Sequence, residues 1–380
     1  MKVVIAGAGV MGLMLARELA ETGVRVCLLD KSEAGREASW AGGGIISPLY
    51  PWRYPQAVTA LAGWSQQYYP ELIAALYEQS GIDPELSEEG LLMLHVKDAV
   101  EAKAWSANLQ KTPAQHAPNT PAWLQSISDE KLGALEPNIA LADAYKEQAL
   151  WMPRVASVRN PRLLKALKNF VYTHPRIEVK EKSELISFQE KAGGVSISLA
   201  CTERIEADKM VICAGAWSAR VLNLPTIQVA PVKGQMLLFD APRGLLNRVV
   251  LSDGRYLIPR RDGKIVAGST LEHAGFDKQT TEDALDSLRQ SALTILPALA
   301  RCPVIKQWAG LRPGSPNGVP YIGKVPGYKQ VFINAGHFRN GLVLAPASVR
   351  LMRTLLTNET PPFDAEPYGC ERPRTKSLVS

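Results

Sequence analysis

The sequence of 380 residues lacks any apolar run near the ~18 residues that a membrane-spanning helix requires, so we expect no transmembrane segment and no membrane partner. It also lacks any block of about five or six like charges. The net charge of +6 and the pI near 9.0 come from lysines and arginines that are scattered along the chain. Such a spread favours an anionic small molecule or cofactor over nucleic acid, which we do not expect as a partner.

Cysteine and histidine are scarce and form no recognisable pattern. The five cysteines are odd in number and include no CxxC pair, which is typical of a reduced, cytoplasmic protein. The five histidines lack ligand spacing with one another or with the cysteines, so no metal is expected. The apolar beginning has the outline of a secretory signal, but glycines at 7, 9 and 12 and the charged stretch RELAETG favour a folded element instead.

The length and composition are those of a globular protein. A chain of 380 residues exceeds what one hydrophobic core usually organises, so two domains or one large composite domain are expected. The 46% of hydrophobic and 21% of charged residues allow a sizeable core to form.

The stretch KVVIAGAGVMGLMLARELAETGVRVCLLD has the organisation of a βαβ unit. A strand over 2–6 leads into Gly7, Gly9 and Gly12, a helix covers 10–22, and a second strand ends at Asp30. In such a unit the glycines allow a tight turn, the approach of a pyrophosphate and close helix–sheet packing, while the helix N-terminus faces the phosphates. Asp30 would accept hydrogen bonds from an adenosine ribose.

The motif by itself does not distinguish NAD from FAD. The next stretch, GREASWAGGGIISP, adds Ser39 and the three glycines Gly42, Gly43 and Gly44, which would let backbone approach a flat ligand and so favour FAD. A flexible loop explains these three glycines about equally well. Farther on, an apolar strand closes on Ala214 and Gly215, which suits either close approach to the nucleotide or simple packing of a strand end.

Downstream patterns predict two domains that interleave in sequence. A long helix is predicted over 55–80, a helix capped by Asn160 follows, and another begins after a Thr280 cap. Strands with turns between 226 and 312 predict an antiparallel sheet, and a late strand before the last helix rejoins the first sheet. The predicted nucleotide domain covers 1–82, 146–224 and 310–365, the second domain covers 83–145 and 225–309, and 366–380 form a tail. The region 105–140 is expected to be peripheral.

Glycines and prolines surround Arg312 in QWAGLRPGSPNGVPYIG, which excludes a helix and an uninterrupted central strand. A solvated arginine on a surface loop is one interpretation. The alternative is a clamp, because a guanidinium can hold a carboxylate through two parallel charge-assisted hydrogen bonds.

Six motifs, in this order, resemble a known family: GAGVMG, EASWAGGGIISP, VICAGAWS, GRYLIPR, WAGLRPGSPNGVPYIG and GHFRNGLVLAP. The family is that of the FAD-dependent oxidases related to D-amino acid oxidase and sarcosine oxidase, and the sequence is most similar to the glycine oxidases of the thiamine pathway. The resemblance implies an α/β fold in which an FAD-binding Rossmann-like domain of the glutathione-reductase type is interleaved with an antiparallel-sheet α+β substrate domain.

The resemblance also implies roles for individual residues. Arg312 would bind the substrate carboxylate with help from Tyr256 and Arg339, and Leu271, where some relatives have Met, would bear on substrate preference. The implied FAD contacts, together with the motif residues above, are Gly7, Gly9, Val10, Met11, Gly12, Asp30, Lys31, Ala38, Ser39, Gly42, Gly43, Gly44, Ile45, Ile46, Leu185, Ala214, Gly215, Gly310, His337, Phe338, Arg339, Asn340, Gly341, Leu342 and Val343. Asp30 stands where Glu is commoner in the family, which keeps the carboxylate but shortens its reach.

The implied reaction is the oxidation of glycine, sarcosine or small D-amino acids by O2 to a 2-oxo acid, ammonia or amine, and hydrogen peroxide, with glycine imine as a supply for thiamine synthesis. A homo-oligomer is expected. Because the substrate would only need to be oriented toward the flavin, no acid–base pair is required. Three alternatives remain open: a D-amino acid dehydrogenase that reduces a quinone, a flavoprotein that modifies tRNA, and a nicotinamide dehydrogenase.

Overall fold

The computed structural model describes residues 1–110, 123–139, 149–372 and 374. Parts of the predicted peripheral region 105–140, the predicted domain boundary at 145/146 and part of the predicted tail lie outside the described residues. Over the described ranges, no helix combines the length and the apolar character needed to span a bilayer.

A six-stranded sheet organises the first part of the molecule. Its strands are β1 (Lys2–Ala6), β2 (Arg25–Leu29), β8 (Ile177–Lys180), β12 (Lys209–Ile212), β18 (Tyr321–Lys324) and β19 (Val331–Ala335). Their spatial order is β18-β19-β12-β1-β2-β8, and all neighbours are parallel except the antiparallel pair β18/β19. The predicted βαβ unit and the late return of the chain to this sheet are confirmed.

Both faces of this sheet are covered, which explains why its strands are apolar throughout. Val3 and Ile5 of β1 pack in one core cluster, whereas Val4 between them packs in another. On the first face lie the helices α1 (Val10–Glu21), α3 (Gln56–Ser80), α6 (Asn160–Thr173) and α9 (Gly341–Thr357). On the second lies a sheet of β9 (Leu185–Lys191), β10 (Gly194–Leu199) and β11 (Arg204–Ala207).

An eight-stranded sheet organises the second part, in the order β17-β13-β16-β15-β14-β4-β6-β5. Its strands are β4 (Leu91–Leu94), β5 (Gln125–Ser126), β6 (Leu150–Met152), β13 (Ala230–Phe239), β14 (Val249–Ser252), β15 (Arg255–Pro259), β16 (Ile265–Gly268) and β17 (Val304–Gly314). The expected antiparallel sheet needs one correction, because β4 and β14 pair in parallel. These two strands are joined by a long connection rather than a hairpin, so no tight turn forces them to be antiparallel.

Short elements complete the described chain. They are α2 (Ala38–Ala41), β3 (Ile45–Ile46), α4 (Ala99–Gln110), α5 (Asp129–Leu135), β7 (Ala156–Ser157), α7 (Ser218–Leu222) and α8 (Glu282–Ile295). The residue ranges of the two domains stay a prediction. The structure adds that β6 belongs to the eight-stranded sheet although its residues fall in the range expected for the nucleotide domain, and that β17 crosses the expected boundary at 310.

The predicted long helix is confirmed as α3, which contains Pro70 and ends before Gly81 at a φ of 68°. Two predicted caps are wrong by one position. Thr281 rather than Thr280 caps α8, where its Oγ1 accepts a hydrogen bond from the Ala284 N–H at 3.4 Å. Asn160 lies inside the first turn of α6, and its amide donates to the carbonyl oxygen of Ser39 at 2.8 Å instead of capping the helix.

Candidate active site

The glycines of the first turn are required by close contacts between backbone segments. Gly7 has a φ of 111°, and a Cβ there would lie 2.4 Å from the carbonyl oxygen of Cys213, which follows β12. A Cβ on Gly12 would lie 1.9 Å from the carbonyl oxygen of Gly7. The turn between β1 and α1 is therefore tight, and α1 packs directly on the strand that precedes it.

The N-terminus of α1 is surrounded by polar groups that fix its position. The N–H of Val10 donates to the hydroxyl oxygen of Ser39 at 2.9 Å, and the N–H of Ala8 donates to Asp30 Oδ2 at 2.9 Å. Asp30 Oδ1 accepts from the Ser32 N–H at 2.9 Å. Two segments that follow the first strand–helix pair thus converge on a helix N-terminus, which carries a partial positive charge and attracts anions.

The glycine run over 42–44 has a defined conformation rather than an open loop. Gly44 has a φ of 87°, and a Cβ there would lie 2.0 Å from the carbonyl oxygen of Val158. Arg260 fixes the run from the eight-stranded sheet, since its Nη2 donates to the carbonyl oxygen of Gly43 at 2.7 Å and its Nη1 to that of Val158 at 3.0 Å. Burial, and then the charge of Arg159, lower the pKa of Arg260 to about 10.

These elements enclose a cavity of about 490 Å3 between the two large sheets. Most of the residues that the sequence predicted for the site line it. From the nucleotide side they are Gly7, Gly9, Val10, Met11, Asp30, Lys31, Ala38, Ser39, Gly42, Gly43, Gly44, Ile45, Leu185, Ala214 and Gly215. From the other side and the last helix they are Tyr256, Gly310, Arg312, His337, Phe338, Arg339, Gly341, Leu342 and Val343.

Four predicted residues do not line the cavity. Gly12 belongs to α1 and faces the backbone of Gly7, and Asn340 is buried at the N-terminus of α9. Ile46 points into the helical core because side chains alternate along β3, where Ile45 faces the cavity. Leu271 is 40% exposed.

The position of Leu271 follows from its two neighbours. The hydroxyl of Thr270 donates to Glu272, so these side chains lie on one side of the extended segment. Leu271 then points to the other side, toward solvent, because side chains alternate along extended backbone. The structure therefore does not bring Leu271 into the pocket that the resemblance implied for it.

Arg312 lies in the edge strand β17, which pairs with β13 so that Arg312 faces Val232. Pro313 is tolerated there because an edge strand needs no donor on its outer side. The guanidinium extends across the sheet over Gly234, where a Cβ would lie 2.2 Å from both Nη1 and Nη2. Only a glycine at this position leaves room for the Arg312 head.

Three protein groups orient this guanidinium. Nη1 donates to the carbonyl oxygens of Lys233 at 3.3 Å and Thr270 at 3.2 Å, and Nη2 donates to the Ser269 hydroxyl at 2.7 Å. An arginine has five N–H donors, so two remain once these bonds are counted, and the side chain of Tyr256 lies within hydrogen-bonding reach of the guanidinium. Two donors are what a bidentate carboxylate requires.

The site carries excess positive charge. Burial lowers the pKa of Arg312, the neighbouring Tyr256 opposes this change, and the nearby Arg339 lowers the pKa further. Within the described part of the chain, neither arginine forms an ion pair with a carboxylate. Two cations close enough to repel each other, without a counter-ion in a largely enclosed cavity, favour the binding of an anion.

Tyr256 and His337 complete the wall around this charge. Tyr256 is buried, and its ring fills the space that a Cβ on Gly268 would occupy, at 2.7 to 2.9 Å from ring carbons and hydroxyl. The imidazole Nε2 of His337 lies 3.0 Å from Ser348 Oγ. Burial, with the charge of Arg374 as a smaller cause, lowers the pKa of His337 to about 3, so its ring is neutral at physiological pH.

The sequence reasoning missed several lining residues. They include Asn160, Trp217, Gly234, Met236, Ser269 and Asn334. Gly234 had a signal, because an isolated glycine in a strand pattern often marks the close approach of another group. Asn160 and Asn334 line the cavity, and each has a buried Oδ1 that accepts no hydrogen bond from the described residues. No three His, Cys, Asp or Glu side chains of the described ranges converge as metal ligands would.

Comparisons with known proteins agree with this geometry. The profile of the family described as DAO, FAD dependent oxidoreductase, matches residues 2–355. The glycine oxidase of Pseudomonas putida is 47% identical over 372 residues, which cover 97% of this chain and 98% of that protein. The glycine oxidase of Pseudomonas aeruginosa is also 47% identical, over 97% of this chain and 98% of that protein. The crystal structure of glycine oxidase from Geobacillus kaustophilus has a TM-score of 0.88 at 26% identity and covers 98% of both chains.

Proposed function

The chain belongs to the DAO family of FAD-dependent oxidoreductases, and on that basis we propose that it oxidises glycine and other small amino acids. The substrate passes two electrons and two protons to O2, which becomes hydrogen peroxide, and water hydrolyses the resulting imine to ammonia or amine and the 2-oxo acid, which is glyoxylate from glycine. Relatives named glycine oxidase with 47% identity over nearly the whole chain support this choice of substrate. The single observation that carries the proposal is Arg312, a cation with two donors left for a carboxylate.

FAD is the cofactor of this family, and the cavity fits it. The N-terminus of α1 suits a pyrophosphate, the side chain of Asp30 suits a ribose, and the backbone over 42–44 lines the cavity in a fixed conformation. We propose that the lining residues of the nucleotide side hold the dinucleotide and that the segment 337–343 lies along its ring.

The residues around Arg312 then act by binding and orientation. The guanidinium holds the carboxylate through its two remaining donors, while Ser269, Lys233 and Thr270 keep it from rotating. Arg339 adds positive charge, and the buried Tyr256 excludes water from the same side. FAD, when bound, supplies the oxidising power by accepting an electron pair and returning it to O2. Anchoring one end of a small substrate is the main catalytic service of the protein, since it makes the reaction effectively intramolecular.

We test this role of Arg312 with Arg312→Leu. The KM for glycine should rise by roughly 100-fold, because loss of a charge-assisted pair costs about 3 kcal/mol and each 1.4 kcal/mol is a factor of ten. FAD content, measured by visible absorbance, should not change. Arg289→Leu on the exposed face of α8 is the matched control and should keep the KM of the parent. An unchanged KM in Arg312→Leu would refute the clamp.

The electron acceptor is tested separately with an oxygen electrode and peroxide detection. Glycine, sarcosine and small D-amino acids should each consume O2 and release stoichiometric peroxide, at rates that rank the substrates. Reduction of a quinone or dye without O2 uptake would support a dehydrogenase instead. Glycine imine from the same reaction is proposed as a supply for thiamine synthesis, which is supported by relatives named "Bifunctional protein ThiO/ThiG".

We further propose a cytoplasmic homo-oligomer. The five free cysteines Cys27, Cys201, Cys213, Cys302 and Cys370 support a reducing compartment. Size-exclusion chromatography with light scattering measures the oligomeric state directly, and a mass of one chain at micromolar concentration contradicts the oligomer.

A further inference from the structure

One exposed segment crosses from the eight-stranded sheet to the wall of the nucleotide side. Residues 273–279 leave the sheet after Glu272, which exchanges two backbone hydrogen bonds of 2.9 Å with Lys233, and they lead into α8. Every residue of the segment is exposed except Phe276, which is half-buried. A lone half-buried aromatic in an exposed segment indicates a specific contact rather than a share in a core.

Phe276 contacts two residues that line the cavity from the other side. Its ring centroid lies 5.3 Å from that of Trp217, and the guanidinium carbon of Arg220 lies 3.6 Å from the Phe276 centroid. The ammonium nitrogen of Lys31 in turn lies 3.7 Å from the ring centroid of Trp217. Lys31, Trp217 and Arg220 all line the cavity, whereas Phe276 packs behind them.

A second contact joins the segment to the wall near Ser39. Lys278 Nζ lies 2.9 Å from Glu37 Oε1 and 3.2 Å from Oε2, and Glu37 also lines the cavity. Both partners are substantially exposed, so this ion pair is weak and is screened by salt.

Between these two contacts, which we call the tip contacts, the segment is also held to the eight-stranded sheet. Asp277 Oδ2 accepts from the ammonium of Lys233 at 2.9 Å, and the Lys233 side chain is only 2% exposed. The Lys233 carbonyl also holds Arg312, so the segment is rooted beside the proposed clamp. The side chains that form the tip contacts can therefore leave the wall while Asp277 holds the backbone of the segment and both sheets remain folded.

We propose that residues 273–279 form a clasp whose tip contacts, Phe276 with Trp217 and Arg220 and Lys278 with Glu37, limit the rate at which FAD leaves the enzyme. The clasp packs behind the part of the wall that flanks the turn between β1 and α1. That part is formed by Lys31 and Glu37 on one segment and by Trp217 and Arg220 on another. FAD is large compared with glycine, and its departure breaks its contacts with that wall. The proposal depends on the cofactor and not on which amine is oxidised.

The test measures FAD release from the holoenzyme. Purified holoenzyme is diluted into buffer with an excess of an unrelated FAD-dependent enzyme in its apo form as a trap, and the release of FAD is followed through the activity that the trap enzyme regains. Phe276→Ala should release FAD about tenfold faster, because two ring contacts are lost. Lys278→Gln should release it about twofold faster at low salt, and parent and variant should converge in high salt. Ile305→Ala, an exposed apolar residue of β17, is the matched control and should release FAD at the parental rate.

Two further measurements separate a clasp from a general role in folding. The melting temperature of the apoprotein should be the same in Phe276→Ala as in the parent, because the tip contacts are peripheral to both cores. Phe276→Leu keeps the bulk but loses the aromatic face, and should give an intermediate release rate. Parental release rates in both Phe276→Ala and Lys278→Gln overturn the proposal. A lower apoprotein melting temperature in Phe276→Ala without faster FAD release also overturns it. If Phe276→Ala retains no FAD, the proposal is tested by comparing the salt dependence of the FAD release rate in the parent with that in Lys278→Gln.

Discussion

Arg312 illustrates how much of a single residue's role depends on its neighbours. Its charge and its surroundings of glycine and proline are visible in the sequence. Its orientation depends on the carbonyl oxygens of Lys233 and Thr270 and on the hydroxyl of Ser269, all of them far away along the chain. The same residue on a surface loop would be solvated and would bind a carboxylate only weakly.

Gly234→Ala tests whether this orientation of Arg312 matters, because it adds a single methyl group next to the guanidinium. The added Cβ would displace the guanidinium, which is the end of a flexible side chain, so the fold should survive while the clamp moves. The KM for glycine should rise by at least about tenfold, since a hydrogen bond to a charged group contributes about 1.5–3 kcal/mol.

The control for Gly234→Ala is Gly323→Ala in β18, where a Cβ would make only an ordinary contact at 3.9 Å. Both variants should retain FAD and melt near the parental temperature. A Gly234→Ala enzyme with the parental KM would show that Arg312 does not need its observed position.

At the scale of elements, helix α1 is the part that the local sequence determines most completely. Its glycines, its apolar face and the strands on either side are contiguous in the chain, so the βαβ unit was predicted within one residue at each end. The contact of α1 with the turn that follows β1 is unusually close because Gly12 has no side chain.

Gly12→Ala should separate this helix from its strand. The Cβ would lie 1.9 Å from a backbone oxygen that cannot rotate away, so the helix N-terminus must shift. We expect a loss of stability of about 1–3 kcal/mol or more, which is the usual range for overpacking, together with loss of FAD on purification. Denaturant unfolding of the apoprotein measures the first and visible absorbance the second. A yellow, fully stable Gly12→Ala protein would contradict the observed packing.

At the scale of the whole molecule, the cavity joins the two large sheets. Its lining combines the first strand–helix turn, the edge strand β17 and the start of α9, so FAD bound as proposed would contact parts of the chain that lie far apart in sequence. A ligand that binds only the folded state stabilises it in proportion to the logarithm of its saturation.

Removal of FAD should therefore lower the melting temperature. At about 1,000 times the Kd, bound FAD contributes about 4 kcal/mol, which predicts a decrease of several degrees on stripping and full recovery on adding FAD back. Differential scanning calorimetry of stripped and refilled protein measures the shift. FMN is the control: it lacks the adenosine that Asp30 and the α1 turn are proposed to bind, and should restore less. Equal recovery with FMN would indicate that the adenosine half of the cavity contributes nothing.

The sequence by itself determined the local units. The glycine turn, the long helix α3 and the return of the chain at β19 all depend on periodicity and turn residues within short stretches. The predicted cap of α8 was wrong by one position, because Thr280 and Thr281 carry the same hydroxyl group and only the path of the backbone determines which of them caps the helix. The parallel pairing of β4 with β14 left no local signal.

Tertiary structure alone decided what lies around the reactive end of the cavity. The register that places Arg312 opposite Val232 puts the guanidinium over Gly234, and a shift of one residue would turn it to the other face of the sheet. Asn160, Ser269 and Trp217 reach the cavity, whereas Leu271 and Ile46 turn away from it, because alternation and long-range contacts decide which face each side chain takes. Short-range pattern thus specified the elements, and packing between distant segments specified which side chains meet.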